Sequence, residues 1–168
     1  RRIKNIFTRV LKGHIAVSKF KLKENTSGEI VDRYARKHLK EIGLDYAHGT
    51  GHGVGYFLNV HEGPHAISKN NKIKFKEGMI VSNEPGYYEK NKFGIRIENL
   101  VYVKKEKNKK YFENLTMAPI DKDLIDKKFL NKKEKSWLNL YHKKVYYNLK
   151  NAMNKKELIK LKKACSAI

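Results

Sequence analysis

Between His48 and Gly55 the chain reads His-Gly-Thr-Gly-His-Gly-Val-Gly, so glycine occupies every second position. Each glycine inside a helix costs about 1 kcal/mol relative to alanine, and four in so short a stretch rule a helix out. Loop and short strand segments are what remain, with a backbone bare enough for another group to approach closely. A phosphate-binding loop is the first chemistry to test. No stretch from Gly49 to Gly55 satisfies Gly-x-Gly-x-x-Gly, and no Gly-Lys-Ser/Thr follows it, so the nucleotide reading fails on spacing. The segment offers instead two imidazoles, His48 and His52, and a third follows at His61 after Tyr56-Phe57-Leu58-Asn59-Val60, which reads as loop and short strand.

The sequence on either side changes period. Ile3, Ile6, Phe7, Val10, Leu11, His14 and Val17 recur three and four apart, which predicts an amphipathic helix running to about Ser18, followed by a loop through Asn25. Thr26 and Glu29 stand in capping-box relation, and Val31, Tyr34, Ala35, His38, Leu39 and Ile42 continue a second helix until Gly43. Met79–Val81 and Ile95–Val103 read as two strands of a long-looped antiparallel hairpin, punctuated by Pro85-Gly86 and Phe93-Gly94. Beyond Pro119 the chain turns polar. A helical stripe then returns through Trp137, Leu138, Tyr141, Val145 and Leu149, capped by Asn131 with Glu134 at N3, and a last helix starts at Asn154. The implied class is α+β, with residues 1–119 as one unit and residues 120–168 as a helical C-terminal extension.

Composition narrows the function classes. With 40% hydrophobic and 33% charged residues, the chain is expected to fold and not to span a membrane. Its 38 Lys and Arg against 17 Asp and Glu give a formal charge of +21, the kind of excess that attracts nucleic acid. The lysines are spread from end to end in interrupted groups such as Lys104, Lys105, Lys107, Lys109 and Lys110, so a solvated basic surface is expected and nucleic acid is not. Cys165 is the single cysteine, which excludes an internal disulfide and a Cys-based zinc site and leaves the cytoplasm as the expected compartment. Arg1-Arg2-Ile3-Lys4-Asn5 holds neither an initiator Met nor an apolar signal segment, so the chain is expected to start within a longer protein.

The hairpin carries the chemistry. Glu84 and Glu98 are equidistant from Asn91, so a hairpin centred there sets the two carboxylates opposite each other on one face. Cross-strand neighbours have Cβ atoms about 4.5–5.5 Å apart, where like charges destabilise unless a proton or a cation intervenes. Arg96, one face away from Glu98, is a partial remedy, and a metal between the carboxylates is a better one. His48, His52 and His61 complete a nitrogen and oxygen donor set typical of hydrolytic metals.

Several motifs together resemble one family. Phe7-Thr-Arg-Val-Leu-Lys-Gly-His-Ile-Ala-Val-Ser18, His48–Gly55, Asn59-Val-His-Glu-Gly-Pro64, Glu84-Pro-Gly-Tyr-Tyr88 and Phe93-Gly-Ile-Arg-Ile-Glu-Asn99 are similar to the C-terminal half of the aminopeptidase P family in its eukaryotic cytosolic type. The resemblance implies the pita-bread fold, here in its C-terminal half only, and removal of an N-terminal residue that precedes proline. It implies His52, Glu84 and Glu98 as metal ligands, with Glu98 bridging two ions and Glu84 accepting the proton of the attacking water. It further implies His48, His61 and Arg96 at the substrate, with His48 and His61 stabilising charge as the carbonyl is attacked. Oxygen-rich ligation favours two Mn²⁺ ions, with Zn²⁺ or Co²⁺ as alternatives.

The departures are also specific. The resemblance implies two aspartate ligands upstream of the first helix. They have no counterpart here, and Asp121, Asp123 and Asp126 follow the hairpin in the wrong chain order to replace them. The chain alone is therefore expected to be inactive and to need the missing N-terminal half. Residues after Pro119 are expected to serve a homodimer, with Trp137 and Tyr141 as candidate contacts or as ordinary core. A prolidase-type dipeptidase would share the metal core, but Val60-His61-Glu62-Gly63-Pro64 looks more like aminopeptidase P. A non-catalytic pita-bread protein binding nucleic acid would be expected to have lost its ligands, whereas His52, Glu84 and Glu98 all stand. Tyr87 and Tyr88 either wall a proline pocket or pack the turn, and are left outside the expected site.

Overall fold

The computed structural model describes residues 1–55 and 59–168, so the part of the expected segment at Tyr56-Phe57-Leu58 lies outside the described residues. Two compact units emerge, Arg9–Thr116 and a second made of Arg1–Thr8 with Met117–Ile168.

Helix α1 (Arg2–Ser18) follows the predicted stripe, with Val10, Leu11, Ile15 and Val17 essentially inaccessible. Strand β1 (Lys21–Leu22) falls in the segment expected to be loop. Two residues are too few to show a period, and only pairing with a distant strand makes them β. Helix α2 (Gly28–Lys40) starts on Ser27, and the expected capping box is not there. Thr26 Oγ1 instead accepts from the Lys23 N–H (2.8 Å), and the Glu29 N–H donates to the Asn71 carbonyl, so a neighbouring segment satisfies a donor that a cap would have served. The helix ends at Lys40, two residues before the last of the expected stripe, and Gly43 at φ +71° completes the turn that follows.

Strands β2 (Gly51–His52) and β3 (Ala66–Ile67) pair with each other. The main sheet is antiparallel, in the order β1, β8 (Lys109–Asn114), β7 (Asn99–Glu106) and β4 (Ile80–Asn83). The sequence presents the Lys104–Lys110 run as scattered surface charge. It is the β7–β8 hairpin, with Lys107 at φ +53° in its turn and Val101, Val103 and Phe112 directed inward. Lysines on the wet face had masked the alternation. The core of this unit joins Val17, Val31, Ala35, Ile67, Phe75, Val81, Val101, Val103 and Phe112. Each of these side chains larger than alanine contributes roughly 1.5–3 kcal/mol through burial.

The expected single strand over Ile95–Val103 is two. Strand β5 (Gly86–Glu89) pairs with β6 (Phe93–Arg96), and β4 pairs with β7, in one shared register that sets Gly86 against Arg96 and Asn83 against Asn99. The break falls at residues 84–85 and 97–98. There the Glu84 N–H leaves the ladder and donates to the Thr50 carbonyl (2.8 Å).

In the other unit, α3 (Lys132–Leu149) and α4 (Lys155–Ala164) both begin with complete capping boxes, Asn131 with Glu134 and Asn154 with Glu157. Ile6, Phe7, Ile120, Ile125, Leu130, Leu138, Tyr141, Val145 and Leu161 are buried, and Trp137 stacks in parallel on Tyr141 (5.4 Å between centroids). Among the described residues no helix is long and apolar enough to cross a membrane.

Candidate metal centre

Period-2 alternation puts Glu84, Gly86 and Tyr88 on one face of the hairpin, opposite Gly94, Arg96 and Glu98 on the other arm. His52 reaches the same place from β2, because Gly53 bridges to Val81 on β4 and the His52 N–H donates to Ser82 Oγ (2.9 Å). One donor atom each from His52, Glu84 and Glu98 then lies within 4.8 Å of the others.

Hydrogen bonds orient this cluster. A carbonyl only accepts, so His52 Nδ1 carries the proton it gives to the Gly53 carbonyl (2.9 Å), and Nε2 stands 3.4 Å from Glu84 Oε1. A proton or a cation between that nitrogen and that oxygen would bind both of them. Ser82 Oγ donates to Glu84 Oε1 (2.8 Å) and holds this buried carboxylate in place. An imidazole nitrogen, two carboxylates and an orienting hydroxyl suit a divalent cation, so the residues present fit the metal that the sequence implied.

His48 and Arg96 meet at Tyr88. His48 Nδ1 donates to the Gly49 carbonyl (2.6 Å), so in the neutral tautomer Nε2 accepts from the Tyr88 hydroxyl (3.0 Å), and that oxygen accepts from Arg96 Nε (2.8 Å). The hydrogen bond to Tyr88, aided by the nearby Glu84 and Glu98 charges, pushes the Arg96 pKa up, and Arg96 Nη1 stands 3.5 Å from Glu84 Oε2. Arg96 therefore shares the face of Glu98, two residues along its arm, where the sequence suggested the other face, and it pairs with Glu84. His61 is exposed, its ring centroid 4.1 Å from that of His52.

Tyr88 and Ser82 are the residues that sequence reading left out. A signal for Tyr88 existed in the two glycines on its face. A Cβ at Gly86 would stand 2.7 Å from the Tyr88 hydroxyl, and one at Gly94 would stand 3.0 Å from its ring, so both positions are bare where the ring crosses. Ser82 had no signal, because its neighbour His52 is thirty residues away in sequence.

The model of metallopeptidase family M24 matches residues 1–105, and that of the C-terminal region of peptidase M24 matches residues 110–168. A probable Xaa-Pro aminopeptidase P of Laccaria bicolor is 53% identical over 150 residues, covering 83% of this chain and 23% of that protein. Aminopeptidase P2 of Arabidopsis thaliana is 50% identical over 155 residues, covering 86% of this chain and 22% of that protein. The chain thus spans about a quarter of the length of these curated relatives. The crystal structure of X-prolyl aminopeptidase from Caenorhabditis elegans, described as a cytosolic enzyme with a di-nuclear active site, superposes with a TM-score of 0.92 at 37% identity. That match covers 100% of this chain and 29% of the other. Prolidase from Pyrococcus furiosus gives a TM-score of 0.61 at 31% identity over 69% of this chain and 33% of its own.

Proposed function

Since the chain belongs to metallopeptidase family M24 and has the fold of the C-terminal part of a pita-bread domain, we propose that it supplies part of the active site of a metal-dependent aminopeptidase that releases a residue preceding proline. The observation that carries this reading is the convergence of His52, Glu84 and Glu98 on one point, with His48, His61 and Arg96 beside it.

In this reading His52, Glu84 and Glu98 hold the cation, Mn²⁺ by the hardness of the oxygen donors, with Zn²⁺ and Co²⁺ also accommodated. Such a cation supplies Lewis acidity and acidifies water. Glu84, largely sheltered from solvent, accepts a proton and is kept in position by Ser82. His48 presents a lone pair at Nε2, so it accepts from a substrate N–H in exchange for the Tyr88 hydroxyl. Arg96, kept cationic by its surroundings, donates toward negative charge developing on the substrate, together with His61.

The aspartate ligands that the resemblance implies have no counterpart in this sequence, so the reading assigns them to a further polypeptide segment and expects no turnover without it. A homodimer through the helical unit and a cytoplasmic location belong to the same proposal. The family relatives at about 50% identity are aminopeptidases, which favours that activity over dipeptide hydrolysis.

The test is Mn²⁺-dependent release of the first residue from an Xaa-Pro-Pro peptide by the chain joined to the rest of its protein, with a Glu84→Ala version alongside. Turnover only in the unsubstituted protein supports the reading. A folded, Mn²⁺-loaded protein that cleaves nothing overturns it.

A further inference from the structure

Arg36 lies on α2, 2% exposed, far from solvent for a cation, and four of its five N–H donors are engaged. Nε binds Asp32 Oδ2 (2.7 Å), Nη1 binds Asp45 Oδ1 (2.7 Å) and the Tyr46 carbonyl (2.7 Å), and Nη2 binds the His48 carbonyl (2.6 Å). The guanidinium carbon sits 4.0 Å from the centre of the Tyr46 ring. Asp32 turns its other oxygen to Thr50, whose hydroxyl must donate (2.6 Å) because a carboxylate only accepts, and the buried Tyr46 hydroxyl therefore donates to Thr50 Oγ1. Thr50 in turn offers its carbonyl to the Glu84 N–H (2.8 Å).

A structural ion pair needs one partner. This one grips the backbone at residues 46 and 48 and the side chain at residue 50, the stretch that delivers His48, and through Thr50 it fixes the point where Glu84 leaves the sheet. We propose that Arg36, with Asp32, is a positioning residue for His48 and Glu84. It touches neither substrate nor metal, and it acts by holding the carbonyls of the glycine-rich loop at fixed positions. Planarity is what the task requires, since the guanidinium binds these four oxygens in fixed directions whereas an ammonium is a point charge. The assignment rests on the roles given to His48 and Glu84 above.

The test reads His48 directly. In a chain with ¹⁵N-labelled histidine, long-range ¹H–¹⁵N correlation shows which ring nitrogen carries the proton, and the expected wild-type pattern is protonated Nδ1 with bare Nε2. Arg36→Lys keeps the charge and loses the fork, and the difference between the two His48 nitrogen shifts should collapse while that of His14 stays. Val101→Ala, which thins the core elsewhere, should leave His48 unchanged at equal loss of melting temperature. Asp45→Asn is the milder second variant, expected to produce a partial collapse if Arg36→Lys does not fold. A folded Arg36→Lys or Asp45→Asn chain with the wild-type His48 pattern overturns the proposal. This readout needs neither metal nor turnover, so failure of the peptidase assay would count against the functional reading alone.

Discussion

Gly51 backs directly onto Ser82: a Cβ built on Gly51 would stand 1.8 Å from the Ser82 carbonyl oxygen. No rotation relieves a contact between two backbones, so the side chain of alanine at 51 would push β2 off β4. Gly51→Ala should lower stability by about 1–3 kcal/mol, the usual cost of overpacking. It should also move Ser82, which orients both His52 and Glu84. Denaturant melts and Mn²⁺ titration by calorimetry check the two effects, and a loss of stability with unchanged cation affinity would break the link between them.

His52 Nε2 and the carboxylate of Glu84 stand 3.4 Å apart, and Glu98 offers a third donor to a cation held between them. Glu98→Ala should therefore weaken Mn²⁺ binding by at least about tenfold, comparable to the losses seen when metal sites lose supporting groups. Chelation should lower the melting temperature of the wild-type protein and leave that of the variant almost unchanged.

Two buried histidines make the fold acid-sensitive. Burial lowers the His14 pKa from 6.5 to about 4, and burial with the neighbouring Lys122 charge does the same to His142. His142 Nε2 moreover accepts the Ile120 N–H (3.0 Å), a bond that protonation there would destroy. A folded pKa below the unfolded one means that the unfolded chain takes up protons first. The stability is thus fully present above pH 6.5 and is lost as pH falls toward 4, by about 3 kcal/mol from His14 alone. Urea melts between pH 7 and pH 4 should show this slope, and His14→Gln should flatten it.

Asn131 closes a reciprocal cap with Glu134 at the start of α3. Asn131→Ala should cost about 1 kcal/mol. It should leave Mn²⁺ affinity as it was, which makes it a control for Gly51→Ala at a similar loss of stability.

Local chemistry carried much of this fold into view. Both caps of the C-terminal helices were legible because Asn and Glu three apart satisfy each other without help from elsewhere. The centre of the hairpin at Asn91 was legible because like charges at Glu84 and Glu98 demanded a reason. What stayed hidden depends on distant partners. Strand β1 exists only through β8, the Thr26 cap lost to Asn71, and Ser82 matters only because Gly51 lets it come close. Sequence spacing cannot report contacts whose cause is a chain returning from elsewhere.

The single register shared by the β5–β6 and β4–β7 pairs has a consequence for length change. The two arms behave as one ruler folded at Asn91, with Glu84 and Glu98 at matching marks on either side. An extra residue in the tip, between Glu89 and Phe93, lies beyond the ruled portion and leaves the marks aligned. One extra residue on either arm moves a carboxylate to the opposite face and parts it from its counterpart. The loop can thus grow at its crest, while both flanks are held to a fixed count.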